Sequence, residues 1–215
     1  MVYDFHTHTS LSDGTLSPIE LIRRAQITGY RAIALTDHSG LGSLERIIKE
    51  IAEDCNIANA HWDIVAIPGI ELTHLPPSAI AEGAKIVVVH GETITEPVEK
   101  GTNLAAVQSP YVDILAHPGL LTLEEAKLAA ENGVFLEISA RKGHCLANGY
   151  IAQLARKTGA KLLVNSDAHN STDLLTPQLA SAIAQGANLT QDELRQVLVT
   201  NPLTLLDKLS LPSLK

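Results

Sequence analysis

The 215-residue sequence has only two cysteines, Cys55 and Cys145, far apart and without a CxxC partner. Neither a disulfide framework nor a thiolate zinc knuckle is expected, and two unpaired thiols fit a reducing cytoplasm. No apolar run approaches the roughly 20 residues that span a bilayer, so no membrane segment is expected. The opening Met1-Val2-Tyr3-Asp4-Phe5-His6 has neither a basic stretch nor a long apolar one, so no signal peptide is expected. Positive charge is scarce: 16 Lys and Arg stand against 24 Asp and Glu, a net charge of −8. The best basic patches, Arg23-Arg24 and Arg141-Lys142, are short. This balance argues against nucleic acid as a partner, although bound divalent cations would offset part of the charge locally. There is no Walker loop and no GxSxG elbow, and Gly40-Leu41-Gly42 lacks the third glycine of a dinucleotide fingerprint.

Apolar residues make up 45% of the chain and charged residues 19%, a globular balance. The length suits one domain over 1–215. Short β-branched runs alternate with amphipathic segments, which implies βαβ units and a parallel sheet. Seven strands are expected, at 2–6, 31–36, 63–67, 85–90, 112–116, 134–139 and 161–166. Ser17-Pro18-Ile19-Glu20, Thr122-Leu123-Glu124-Glu125 and Thr190-Gln191-Asp192-Glu193 read as capping boxes at helix starts. Gly29, Gly133 and Gly159 fall where helices should end. Further helices are expected at 41–60, 101–108, 122–132, 147–158 and 177–186, and a C-terminal helical tail, 190–208, broken at Pro202. Periodicity alone leaves a closed barrel and an open doubly wound sheet as alternatives.

The polar residues discriminate. The first strand runs into His6-Thr7-His8, with Asp13 shortly after, and the second ends at Thr36-Asp37-His38. Glu71 follows the third strand, His90 ends the fourth, and His117 ends the fifth. The sixth contains Glu137, and the seventh leads into Asp167-Ala168-His169. The C-terminal ends of the strands form the functional face of parallel α/β folds. Only a closed or nearly closed barrel brings all seven ends to one site. His6 and His8, two apart on extended backbone, face the same way, as do Asp167 and His169. Asp37 and His38 are adjacent, so His38 is taken as the ligand and Asp37 as an orienting residue. Imidazole and carboxylate without thiolate suit Zn, Mn or Fe. About nine donors exceed the four to six that one ion takes, so two or three divalent ions are expected. Clustered metals of this kind hydrolyse phosphate esters.

Taken in order, His6-x-His8, Thr36-Asp37-His38, Gly69-Ile70-Glu71, Ala116-His117-Pro118 and Ser166-Asp167-Ala168-His169 resemble the polymerase and histidinol phosphatase (PHP) domain family. The resemblance runs from residue 4 to about residue 170. It implies a distorted (β/α)7 barrel with a trinuclear metal site. In that scheme His6, His8, Glu71 and Asp167 hold one ion, and Glu71 bridges to a second held by His90 and His117. Asp13, His38 and His169 hold the third. Relatives in the family include histidinol phosphatases, nucleases and proofreading modules.

The expected function is hydrolysis of a small-molecule phosphomonoester, histidinol-phosphatase-like, by water attack at the metals. Glu71 and Asp167 are the expected catalytic carboxylates. Arg141, just beyond the sixth strand, is expected to grip the phosphate, with Lys142 and His144 as weaker candidates. The alternatives are a nuclease or nucleotide phosphodiesterase on the same metals, and a non-catalytic binding module on the same fold. His61 and His74 are read as ordinary surface or core histidines. Asp4 and Glu137 are either partners of the ligands or buried barrel carboxylates. No thiol nucleophile is expected at Cys145.

Overall fold

The computed structural model describes residues 1–74 and 84–212. Its strands are β1 (Val2–Asp4), β2 (Tyr30–Leu35), β3 (His38–Ser39), β4 (Val65–Leu72), β5 (Ile86–His90), β6 (Ile114–Ala116), β7 (Phe135–Ser139) and β8 (Leu162–Asn165). Every strand pairing among the described residues is parallel, in the order β1-β2-β4-β5-β6-β7-β8, with β3 beside β4. The helices are α1 (Pro18–Ile27), α2 (Leu44–His61), α3 (Thr102–Gln108), α4 (Leu123–Asn132), α5 (Asn148–Thr158), α6 (Pro177–Gly186), α7 (Gln191–Arg195) and α8 (Asn201–Lys208).

The sheet nearly closes, with one seam between β1 and β8. No regular ladder crosses it. Instead the Asn165 side chain accepts from Phe5 N at 3.0 Å. Above that, Asp167 N donates to His6 O at 3.0 Å and His8 N to Ala168 O at 2.8 Å. These bonds stitch His6-Thr7-His8 directly to Asp167-Ala168-His169. The two longest-separated ligand motifs of the sequence are therefore neighbours across the seam. A distorted (β/α)7 barrel is the architecture observed.

Alternation along the strands builds two cores. One set of side chains, including Phe5, Ile67, Ile86, Val88, Phe135 and Leu163, fills the barrel interior. The other set packs outward against the helices. The inward face of β4 reads Val65, Ile67, Gly69, Glu71, and that of β5 reads Ile86, Val88, His90, by strand period. Apolar residues thus occupy the lower interior and potential ligands the upper rim. Position 69 demands glycine, since a Cβ there would come within 2.5 Å of the Ile86 side chain. At the bottom Leu205, Leu206 and Leu209 join the interior cluster, so the C-terminal tail plugs the barrel.

The third expected strand is longer than the sequence suggested, running through Pro68 to Leu72. β4 pairs with β2 up to Pro68 and with β3 from Glu71, so the missing proline N–H falls at the changeover. The tail is not broken at Pro202. A wide π turn, Gln196–Thr200, precedes it, with Asn201 N bonded to Gln196 O. That wider turn accommodates a residue that lacks a donor and clashes with a normal helical carbonyl. The capping boxes at Thr122 and Thr190 form as expected. The one at Ser17 does not: Glu20 pairs with Arg24, and Ile19 N is capped by Asp54 of α2 at 3.0 Å. Gly29, Gly133 and Gly159 all follow helices with φ of 88°, 68° and 79°, left-handed geometry in which glycine carries no Cβ penalty.

Candidate metal centre

All nine side chains expected as ligands meet at the rim. Glu71 lies at the centre: its carboxylate is 3.3 Å from His6 Nε2, 3.5 Å from His8 Nε2, 2.8 Å from His38 Nδ1 and 3.5 Å from His117 Nε2. Asp167 faces it, 3.3 Å from His8 Nε2 and 3.8 Å from His117 Nε2. Asp13 reaches in from the loop after β1, 3.1 Å from His169 and 3.7 Å from His38. The His90 ring lies 4.5 Å from that of His117.

The donors fall into four overlapping groups: His6, His8 and Glu71; His6, His117 and Asp167; His8, Asp13, His38 and His169; and His90, His117 and His144. The first and third follow the ion-by-ion division that the family resemblance implies, with His8 shared. The fourth brings in His144, which the sequence reading held only as a weak phosphate contact.

Six buried polar atoms here have no hydrogen-bond partner: His6 Nε2, both His8 nitrogens, both Glu71 oxygens and His117 Nδ1. A buried polar atom without an aligned hydrogen bond is costly, and the Glu71 oxygens find only ion-pair contacts with the surrounding imidazoles. The donor set, nitrogen and carboxylate oxygen aimed at common points, fits divalent metal ions. The supporting contacts fit as well. Glu137 Oε2 is 2.7 Å from His6 Nδ1, which fixes that ring with Nε2 toward the centre. Asp37 commits its carboxylate to the chain: it accepts from Thr9 N, Thr9 Oγ1, Ser12 N and Ser12 Oγ, and so shapes the loop that carries Asp13. Asp4 accepts from Ser166 N and Tyr30 Oη, and burial pushes its pKa up to about 6.

Burial opposes charge throughout the cluster, and the neighbours decide the outcome. His8 is pushed down to about 4 by burial, and His90 is lowered for the same reason. In His6 burial is outweighed by Glu137, Glu71 and Asp167, which raise it well above the ordinary value. Glu71 and Asp13 likewise raise His38 against its burial, and Asp167 and Glu96 raise His144. Against burial, His6 leads the neighbours that hold Glu71 and Asp167 far below the carboxylate range. The metal-free cluster is thus a network of imidazolium and carboxylate, whose protons a divalent ion would displace.

Backbone strain marks the same place. His117 and Asp167 have φ of 28° and 54°, a region that non-glycine residues enter only when their surroundings impose it. Gly91 lets the end of β5 approach that of β6: a Cβ there would meet Ala116 O at 2.4 Å. His90 and His117 are adjacent for that reason.

The cluster opens onto a cavity of about 400 Å³, lined also by Arg141, His144, Thr73 and His74. Arg141 Nη1 donates to Asp167 O at 3.2 Å and to His169 Nδ1 at 2.6 Å. His74, read from sequence as an ordinary histidine, is a cavity residue; His61 is exposed at the end of α2, away from the rim. Glu96 was missed altogether, since it stands in a loop with no motif around it. His144 is engaged by Asp167 and Glu96, which leaves no base for Cys145.

The PHP domain signature matches residues 4–92. An uncharacterized protein of Methanocaldococcus jannaschii is 45% identical, covering 97% of this chain and 100% of its own. A protein of Thermoanaerobacter sp. strain X514 named as a probable phosphatase is 30% identical over 89% of both chains. Ribonuclease P protein component 3 of Methanosarcina mazei is 31% identical, covering 96% of this chain and 89% of its own. The expectation against nucleic acid therefore rests on net charge alone. With its barrel, its rim of histidines and carboxylates and these relatives, the chain belongs to the PHP domain family.

Proposed function

We propose that the protein is a metal-dependent phosphatase of a small phosphomonoester, with the nine rim residues as ligands of two or three divalent ions. The observation that carries this reading is the set of six unpaired buried donor atoms beside an open cavity that also holds a guanidinium. The relative named as a phosphatase supports it. When bound, such ions polarise phosphoryl oxygens, activate a water and stabilise the departing oxygen.

The side chains supply the rest. Arg141 grips phosphoryl oxygens through its planar fork. His169 would ligate through Nε2 with its proton on Nδ1, which lies 3.0 Å from Asp167 O. Arg141 would then lack an acceptor on that ring and be available to a phosphate. Glu71 and Asp167 hold the ions together, and Glu137 and Asp37 keep His6 and the Asp13 loop in place.

The test is release of inorganic phosphate from a panel of phosphomonoesters, with Mn or Zn supplied and an EDTA-treated control. The panel includes histidinol phosphate, nucleoside monophosphates and sugar phosphates. EDTA-sensitive turnover of one compound far above the others is the expected result. No release from any of them by metal-loaded protein sinks this reading. The similarity to a ribonuclease P component favours a second reading, action on or binding to RNA. Its mark is RNA binding that weakens steeply with salt.

A further inference from the structure

Two residues outside every motif complete a donor set at one edge of the cluster. We propose that His144 and Glu96 ligate one divalent ion together with His90 and His117, adding a third imidazole and a carboxylate to the donors that Glu71 bridges. This inference rests on the metal-dependent reading above and names a coordination that none of the sequence motifs contains.

Orientation carries the argument. Neutral imidazole binds a metal through one nitrogen, and the tautomer is set by what the other nitrogen donates to. In His6 a carboxylate, Glu137, takes Nδ1 at 2.7 Å, and Nε2 faces the centre. His144 repeats that arrangement. Asp167 Oδ2 takes its Nδ1 at 2.7 Å, and its Nε2 points to Glu96 Oε1 at 3.1 Å. His90 does the same with a carbonyl: Nδ1 lies 3.1 Å from Gly91 O, and Nε2 lies 3.1 Å from Glu96 Oε2. Two imidazoles therefore aim Nε2 at the two oxygens of one carboxylate. The His117 ring is 4.0 Å from that of His144 and 4.5 Å from that of His90. One donor atom from each of the three histidines falls within 4.8 Å of the others.

The local chain explains how Glu96 arrives there. It stands on the loop between β5 and α3, and its neighbour Thr95 lies against Gly143, where a Cβ would sit 3.5 Å from Thr95 Oγ1. The loops after β5 and β7 thus pack together and bring Glu96 to His144. His144 itself is 8% exposed. A phosphate-binding histidine would keep a free N–H toward the cavity. Here one nitrogen is committed to Asp167, and the other shares its target with His90.

Asp167 joins this site to its neighbour. Its Oδ2 holds His144, while Oδ1 faces His8 at 3.3 Å. Three imidazoles also set the metal class: nitrogen-rich sites suit zinc and iron, whereas magnesium and manganese prefer oxygen.

The experiment compares wild type, H144Q and E96Q, each stripped with EDTA and reloaded with zinc or cobalt(II). Bound metal is counted by mass spectrometry after equilibrium dialysis, and the cobalt ligand-field spectrum is recorded. H144Q is expected to lose one equivalent, or to hold it at least about 100-fold more weakly, with an altered cobalt spectrum. E96Q is expected to loosen the same equivalent by more than about 100-fold with the same change of spectrum, beyond the 10–100-fold that loss of a mere supporting partner costs. If both variants keep wild-type stoichiometry, affinity and spectrum, His144 and Glu96 are not ligands and the proposal falls, while the metal-dependent reading stands. Should H144Q fail to fold by circular dichroism, E96Q decides on the same readings. A wild type that takes up no ion overturns the metal-dependent reading itself, and this one with it.

Discussion

Glu137 holds Nδ1 of His6 at 2.7 Å, with both side chains fully excluded from solvent. A carboxylate there does two things: it fixes the ring and raises the basicity of Nε2, the nitrogen that faces Glu71. Glu137→Gln keeps the shape and removes the charge. Metal affinity measured by dialysis should fall about 10–100-fold, the usual cost of such a partner, with the fold retained. Wild-type affinity in this variant would mean that Glu137 merely fills the barrel.

Glu71 has four histidine nitrogens within 3.5 Å of its carboxylate. Asp167 faces five histidines, but His6 and His117 stand farther off, at 3.9 and 3.8 Å. Glu71→Gln should therefore lower metal content and turnover together. If metal stoichiometry is unchanged, Glu71 does not bridge two ions.

The rim was legible in the sequence because strand ends are. A ligand that ends a strand inherits its position from the barrel, so His90 and His117 could be placed from pattern alone. Glu137 was visible but ambiguous, since an inward carboxylate on a strand can serve a ligand or simply be buried. Glu96 and His74 stand on loops and His144 opens a short 3-10 turn after β7, and the paths of such segments depend on packing between them rather than on period. Gly143 against Thr95 is a contact that no one-dimensional pattern announces. The same limit explains Ser17: the local pattern matched a capping box, but Asp54, 35 residues away, took the amide of Ile19 instead.

That difference between caps is measurable. Thr122 accepts from Glu125 N, and Glu125 reaches back to Thr122 N at 2.7 Å. Thr122→Ala should cost about 1 kcal/mol of stability in urea denaturation. Ser17 makes no such side-chain bond, so Ser17→Ala should be close to neutral. Equal losses from the two variants would contradict the assignment.

Arg141 lines the cavity and is one-third exposed, with its guanidinium on Asp167 O and His169 Nδ1. As the phosphate grip it contributes to binding and to the charged transition state alike. Arg141→Ala should raise KM and lower kcat on the true substrate, with kcat/KM falling about 100-fold, and metal content unchanged. Arg141→Lys restores the charge without the fork and should recover only part. Normal KM and kcat in Arg141→Ala would remove the residue from the mechanism.

The pH dependence of stability distinguishes the metal-free protein from the loaded one. Without metal, Glu71 and Asp167 are held far below the carboxylate range. They contribute stability above their unfolded pKa, and that stability is lost as pH falls through the depressed folded value. His6, His38 and His144 are raised. Their contribution is present below about 6.5, the unfolded value, and is lost as pH rises through the raised one. His8, pushed down to about 4, works the other way: it favours the folded state more as pH climbs from about 4 to 6.5. Together these confine the optimum of the metal-free protein near neutrality. Its Tm in EDTA should fall as pH climbs above about 6.5 and through the raised histidine values, when lost histidine protons leave Glu71 and Asp167 as uncompensated buried charges. With zinc or manganese the slope reverses over the same interval, because the ions need deprotonated imidazoles. Parallel melting curves in EDTA and in metal, with the same slope against pH, would show that no ion replaces those protons.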